Sequence, residues 1–325
     1  MAAPKISIVV AVYNAEKTIL ECLNSIANQT FKDFEVIMVD DGSPDHSAQL
    51  IDDYALNDAR FKAFHKTNGG VSSARQYGID HAAGEYTIHV DPDDWVEPDM
   101  LASLYSKAQK TDADMVICDF FVNSYKGQEY IKQQPTDVND NVAIIKELFG
   151  HLHGSTCNKL IRRSCYAAFD IRFPEQISFC EDQYVIISLL LQPIKVAYLP
   201  QAFYHYIRGN ENSLSKSYSD NVLKQDKCAL SLFTTLVADT PLCDFVEAQK
   251  TYFMVAHAFW WGGRFFSNEK FKKEFSKCLP LLCKVNISKG EWILLNLSCR
   301  GYYLAARRSV SIAMSIKHII YNIIK

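Results

Sequence analysis

Apolar and polar positions follow two rhythms along the first 120 residues. Continuous apolar runs at 5–13, 34–39, 61–65, 86–90 and 114–121 read as strands. A strand covered by helices on both sides has no polar face to show, so its side chains are apolar throughout. Between these runs the spacing changes. Ile19, Leu20, Leu23 and Ile26 fall on one helical face within 18–27, and 47–56, 72–82 and 98–110 also read as helices, with Ser72 near the cap of the third. Strands that alternate with helices predict an α/β fold with a mostly parallel sheet and helices on both faces.

After Phe121 the rhythm breaks. Residues 122–140 are polar and irregular, as in a hairpin or an insertion. Residues 141–149 and 181–191 read as helices, and 195–199 and 203–207 as strands. From Asp220 onward the spacing is helical with no strand alternation. These shifts predict an α/β domain over 1–215 and a helical region over 216–325, with no internal repeat or low-complexity tract.

Composition narrows the classes. The 325 residues are 48% hydrophobic and carry a net charge of −3, enough for a sizeable core and too little positive charge for general attraction to nucleic acid. Ten cysteines form no CxxC pair, so zinc is not indicated. With no signal peptide ahead of them, they read as reduced thiols in a cytoplasmic protein. No uninterrupted apolar run reaches about 18 residues, the length that a membrane span requires.

Four predicted strands end in polar punctuation: Tyr13-Asn14, Asp40-Asp41-Gly42-Ser43, Asn68-Gly69-Gly70 and Asp91-Pro92-Asp93-Asp94. In a parallel sheet these ends share one edge, where α/β proteins bind ligands. Asp91, Asp93 and Asp94 lie within four residues. One of them could cap a helix, but the others would repel without a cation, and a divalent ion holding a phosphorylated substrate suits them. Asp40 is either a turn former or an acceptor for a base or ribose hydroxyl. Arg75 either sits in a plain strand–helix connection or reaches a phosphate or a nearby carboxylate. Glu181-Asp182 either complements a helix N-terminus or supplies a general base. Arg208 is either a surface charge or a partner for a leaving diphosphate. The Asn68-Gly69-Gly70 loop has neither the dinucleotide nor the P-loop pattern.

Taken in order, these segments resemble family 2 glycosyltransferases of the GT-A fold, a Rossmann-like architecture. The matching residues are Ser7-Ile8-Val9-Val10-Ala11-Val12-Tyr13-Asn14, Ser25-Ile26-Ala27-Asn28-Gln29-Thr30-Phe31, Phe34-Glu35-Val36-Ile37-Met38-Val39-Asp40-Asp41-Gly42-Ser43 and Asn68-Gly69-Gly70-Val71-Ser72-Ser73-Ala74-Arg75. Gly84-Glu85-Tyr86 then leads into the D-x-D element Asp91-Pro92-Asp93, and Asn158-Lys159-Leu160, Glu181-Asp182 and Tyr204-His205-Tyr206-Ile207-Arg208 follow. The resemblance covers roughly 5–215. It implies a nucleotide-sugar donor, a UDP-sugar if Asp40 reads uracil, with Mn²⁺ or Mg²⁺. It implies that Ala11, Tyr13 and Asp40 line the nucleobase pocket, that Arg75 supports that pocket, and that Asp91 lies near the ribose. Asp93 would bind the metal, and Asp182 would be the catalytic base with Glu181 beside it. Arg208 and His205 fall in a segment that closes over the diphosphate. The acceptor would be a hydroxyl of a glycan or lipid-linked molecule, and the reaction would invert the anomeric centre. Pro92, where many relatives have Ser or Thr, should stiffen the turn. Ile207 departs from the Tyr found before the Arg in many relatives.

Two other readings compete. A metal-dependent nucleotidyltransferase needs a basic triphosphate loop near the N-terminus, which Tyr13-Asn14-Ala15-Glu16 does not supply. A non-catalytic nucleotide-sugar binding module predicts a lost metal or base position, yet Asp93 and Asp182 are both present. After Glu291 no acidic residue remains, and Ile312, Ile316, Ile319, Ile320, Ile323 and Ile324 form an apolar stripe. The segment 302–325 therefore reads as a helix docked on the core, a homodimer contact or a membrane-surface helix on the inner face of the plasma membrane. Trp260, Trp261, Phe265 and Phe266 read as core.

Overall fold

The computed structural model describes residues 3–209 and 218–310. The segment Asn210-Glu211-Asn212-Ser213 and the isoleucine stripe beyond 310 lie outside the described residues. The chain forms two compact units, Met1–Glu211 and Asn212–Lys325.

The first unit is built on a nine-stranded sheet among the described residues. Its first half is made of β1 (Ile6–Val12), β2 (Phe34–Asp40), β3 (Phe61–His65) and β4 (Tyr86–His89), all parallel, in the order β3-β2-β1-β4. The helices α1 (Ile19–Ala27), α2 (Ser47–Asn57) and α3 (Val71–His81) connect them. Every residue of β2 and of β4 is buried, as the unbroken apolar runs require. The α3 helix lies so close to β1 that a Cβ on Gly78 would meet Val9 Cγ1 at 2.3 Å. Only a glycine allows that approach, and it brings the side chains of α3 to the sheet.

The second half mixes directions. It contains β5 (Trp95–Val96), β6 (Met115–Ser124), β7 (Gly127–Ile131), β8 (Lys159–Arg162) and β9 (Val196–Ile207), with α4 (Met100–Thr111), α5 (Asn141–Glu147), α6 (Ser164–Ala168) and α7 (Glu181–Leu190). The short β8 lies between β4 and β6 and runs antiparallel to both, while β9 runs parallel to β6. The polar stretch after Phe121 is a β6–β7 hairpin.

The two strands expected at 195–199 and 203–207 are one strand, β9. Cys118 faces Leu199 and Asp119 faces Ala202, so Pro200 and Gln201 bulge out of the ladder. Proline has no N–H to give a ladder, so a bulge is where it fits. Ser72 lies near the cap of α3, as expected, without being the cap itself. The cap position is Gly70, at φ 85°, and Ser72 Oγ donates to the carbonyl of Ile177 at 3.0 Å.

The second unit is helical: α8 (Asp220–Leu236), α9 (Cys243–Trp261), α10 (Asn268–Phe275), α11 (Leu279–Leu282) and α12 (Lys289–Leu297), with a π-helical turn at Ser298–Tyr302. Its core is aromatic, with Phe259, Phe266, Phe271, Phe275 and Tyr303 packed together. Phe266 is core as expected. Trp260 and Trp261 are not; they stay 40% and 51% exposed. Among the described residues no helix is long and apolar enough to cross a membrane.

Candidate active site

The strand ends do share an edge. In the β1–β2 register Ala11 pairs with Val39 and Val12 with Asp40, so Ala11, Tyr13 and Asp40 stand together where the two strands stop. Asp40 is buried. One oxygen accepts from the Ser43 amide at 3.1 Å, and the other lies 3.5 Å from His65 Nδ1. His65 Nε2 contacts Asp52 at 2.9 Å, and that hydrogen bond is the main cause of a raised imidazole pKa. Beside it, buried Asp41 accepts from the amides of Gly69 (2.9 Å) and Gly70 (2.7 Å) and from Lys66 Nζ. A carboxylate with several donors fixes the Asn68-Gly69-Gly70 loop and hence the start of α3.

Of the two readings of Arg75, the contacts match the one that reaches nearby carboxylates; among the described residues no hydrogen bond or ion pair joins Arg75 to Asp40. Its side chain is buried, and Nη1 donates to Glu181 Oε1 and to Asp182 Oδ1, both at 2.5 Å, while Nη2 donates to Asp91 Oδ1 at 2.8 Å. One guanidinium therefore gathers a carboxylate from the end of β4 and two from the start of α7. The reason is electrostatic: Glu181 is buried, Asp91 and Asp182 are part-buried, and the planar guanidinium fork of a buried arginine can serve all three together.

The rest of this cluster comes from loops. Asp182 also accepts from the Thr156 amide at 3.3 Å and from Thr156 Oγ1 at 3.1 Å. Burial raises its pKa, against the opposing pull of Arg75 and the Thr156 bonds. Burial likewise pushes Glu181 up to about 7, again against Arg75. Cys157 Sγ lies 3.5 Å from Asp91 Oδ2.

The three carboxylates of the D-x-D segment are not equivalent. Asp94 does not cap a helix. It is 2% exposed, accepts from Tyr204 Oη at 2.5 Å and from the Ile207 amide at 2.8 Å, and is pushed by burial up to about 8. Asp91 accepts from Arg75, Asp94 accepts from Tyr204 and Ile207, and Asp93 is part-exposed in the turn with them. Among the described residues no three His, Cys, Asp or Glu side chains form a ready-made metal cage. A single part-exposed carboxylate fits Mg²⁺ or Mn²⁺, which fill most of their coordination with phosphate oxygens and water.

A cavity of about 430 Å³ opens over the cluster, lined by Arg75, Asp91 and Asp182, by His153 and Ser155, and by Tyr206. Burial holds the His153 imidazole down at about 4, so it is neutral. Arg208 is exposed just past β9, with its amide bonded to the Asn123 carbonyl, and its charge is felt at both Tyr206 and His153. His205 does not face the cavity. It is buried and stacked on Trp95 at 3.4 Å between ring centres, and on Phe121 at 4.6 Å. The sequence reading gave no role to Thr156, Cys157 or Tyr204. Of the three, only Tyr204 lay in a segment already singled out.

Residues 7–169, half of the chain, match the family model described as "Glycosyl transferase family 2". The chain belongs to this family. That selects the transferase among the three readings of the sequence. The family 2 chain is 36% identical over 66% of its length to "Uncharacterized glycosyltransferase EpsJ" of Bacillus subtilis, of which the match covers 63%. It is 26% identical over 89% of its length to the "Poly(ribitol-phosphate) beta-glucosyltransferase" of Bacillus spizizenii, of which it covers 43%. The chain thus spans less than two thirds of either relative. Among solved structures, S. aureus TarS 1-349 in complex with UDP-GlcNAc superposes with a TM-score of 0.67 at 22% identity, covering 93% of this chain and 89% of that one. At that identity the likeness shows the fold alone: a GT-A-like, mostly parallel sheet with flanking helices, followed by a helical region.

Proposed function

We propose that this family 2 enzyme transfers a sugar from a UDP-sugar to a hydroxyl of a glycan or lipid-linked acceptor during surface polysaccharide assembly, with inversion at the anomeric carbon. The observation that carries the reading is the Arg75 cluster, which joins the donor-side Asp91 to the acceptor-side Asp182 through one buried cation. The relative that acts on poly(ribitol-phosphate) and the TarS complex with UDP-GlcNAc support the substrate classes.

In this reading Ala11, Tyr13 and Asp40 receive the uracil, with Tyr13, 52% exposed, as its face-on partner. Asp91 lies against the ribose. Arg208 meets the diphosphate. Asp93 holds Mn²⁺ or Mg²⁺, which when bound supplies neutralisation of the leaving diphosphate. Asp182 is the general base. Its raised pKa improves it as a proton acceptor, while Arg75 and Thr156 fix its orientation. It takes the proton of the acceptor hydroxyl. The oxygen then forms its bond to the anomeric carbon on the face opposite the nucleotide as the bond to the phosphate oxygen breaks. One displacement gives the inverted glycoside and UDP.

Residues 1–215 would carry this chemistry and 216–325 would serve the acceptor, an oligomer contact or a membrane surface. For the last, exposed Trp261 and Tyr302 have the amphipathic rings that favour a lipid interface. Flotation with anionic vesicles tests the contact, and no co-flotation removes it. The donor assignment is tested by a panel of nucleotide sugars with Mn²⁺, scored by thermal shift. A ligand at 100 times its Kd stabilises by about 2.7 kcal/mol. UDP-sugars should raise Tm, and a response confined to GDP- or CMP-sugars would overturn the reading.

A further inference from the structure

Lys159 opens β8 with its side chain buried, 1% exposed. Among the described residues no carboxylate forms an ion pair with it. Its ammonium instead donates to three oxygens of the loop just before it: the carbonyls of His153 at 2.8 Å and Ser155 at 2.7 Å, and Asn158 Oδ1 at 2.7 Å. An ammonium has three hydrogens, so its donor capacity is filled by a single turn of chain. Burying a cation without a counter-charge is costly. Consistent with that cost, burial brings the Lys159 pKa down to about 8.

The loop held in this way is the one that faces the chemistry. His153, Ser155 and Asn158 line the cavity beside Asp182. Thr156 is fully buried, and both its amide and its hydroxyl point to Asp182. The loop is also tied to β6 by Asn158 Nδ2 donating to the Cys118 carbonyl at 2.7 Å, and to the chain after β7 by the His153 amide donating to Gln133 Oε1 at 2.6 Å. None of these contacts touches Ala11, Tyr13 or Asp40.

We propose that Lys159 is a positioning residue for the acceptor half of the reaction: it sets the 153–158 loop as the wall beside the incoming hydroxyl, and Thr156 passes that setting to Asp182. This rests on the reading of Asp182 as the base. It predicts a division of effects. Loss of Lys159 should impair turnover and spare nucleotide binding, because a reacting group displaced by about 1 Å can cost ~10²-fold in rate.

The test compares wild type with Lys159→Met and Thr156→Val. Amide hydrogen exchange is read over 153–158, UDP-GlcNAc affinity by calorimetry with Mn²⁺, and turnover as UDP release with water or octyl glucoside as acceptor. For Lys159→Met the expected result is exchange about ten-fold faster over 153–158, turnover at least about ten-fold lower and affinity within about two-fold. For Thr156→Val it is unchanged exchange with turnover several-fold lower at unchanged affinity. Wild-type exchange and turnover in Lys159→Met would overturn the proposal, as would affinity lost in step with turnover. Should Lys159→Met fail to fold, Thr156→Val with wild-type turnover overturns it alone. If wild type neither binds nor cleaves UDP-GlcNAc, it is the donor assignment that fails, and the exchange comparison still decides whether Lys159 sets the loop.

Discussion

The strands β3, β2, β1 and β4 are all parallel, and β1, β2 and β4 are followed by the polar residues of the candidate site. The strands β8, β6, β9 and β5 run in mixed directions, and the site carboxylates on this side are held by side chains from distant parts of the chain. In the first half, Asp40 and Asp41 sit where β2 stops; Asp40 accepts from the Ser43 amide in its own turn, and Asp41 from the Gly69 and Gly70 amides in the turn after the neighbouring strand β3. In the second, Asp94 is held by Tyr204, 110 residues away, and Asp182 by Thr156 and Arg75, 26 and 107 residues away. One half positions its carboxylates through turns at neighbouring strand ends, and the other gathers them with side chains such as Arg75, Thr156 and Tyr204. The second kind of order is the easier to break with a single side chain.

The largest effect should follow Arg75→Met. It strands three carboxylates around a buried position, and removing one partner of a buried ion pair costs about 3–5 kcal/mol. Urea unfolding should show that loss, and turnover should vanish with it. A variant as stable as wild type would mean that the carboxylates do not depend on the guanidinium.

Asp182→Asn should keep the fold, since the amide oxygen can still face Arg75, and should lower kcat by ~10²–10⁴-fold. Single-turnover kinetics with a cleavable UDP-sugar would measure it, and full activity would remove the base assignment.

A matched pair of milder changes then contrasts the halves. Tyr204→Phe leaves Asp94 short of a donor and should cost about 1–3 kcal/mol. Gly78→Ala pushes a methyl into Val9 and should cost a similar ~1–3 kcal/mol by overpacking. Only the first should also change turnover in proportion beyond its stability loss, because Tyr204 also meets the Asp91 amide at 3.2 Å.

The smallest effect is a slope. Burial raises the Glu181 pKa to about 7, so the native state keeps a proton that the unfolded chain has already released. The stabilisation this gives is fully present below the ordinary Glu pKa of about 4.3 and is lost as pH rises through about 7. The free energy of unfolding should therefore fall across that window for wild type, and Glu181→Gln should flatten the fall.

Most of the parallel half was legible because its signals are local. Unbroken apolar runs and the turn residues Asp40-Asp41-Gly42-Ser43 stand next to one another in the chain. The mixed half was not. The four-residue β8 has a lysine at one end and an arginine at the other, so it shows no strand rhythm, and β5 has only two residues. Pro200 split β9 into two apparent strands because a bulge and a strand end look alike in sequence. The sequence offers Arg75 a nearby carboxylate but does not say which: in isolation Glu181 and Asp182 read better as charges favouring a helix N-terminus. Their meeting with Arg75 is a tertiary fact, as is the turn of Lys159 back onto its own loop.

The division between nucleotide half and reaction half is tested most directly by calorimetric titration of UDP-GlcNAc with Mn²⁺ into wild type, Asp40→Ala and Asp182→Asn. The account predicts that Asp40→Ala weakens binding by roughly ten-fold, the worth of about one 1.4 kcal/mol interaction, while Asp182→Asn binds as wild type does. Wild-type affinity in Asp40→Ala together with lost affinity in Asp182→Asn would contradict it.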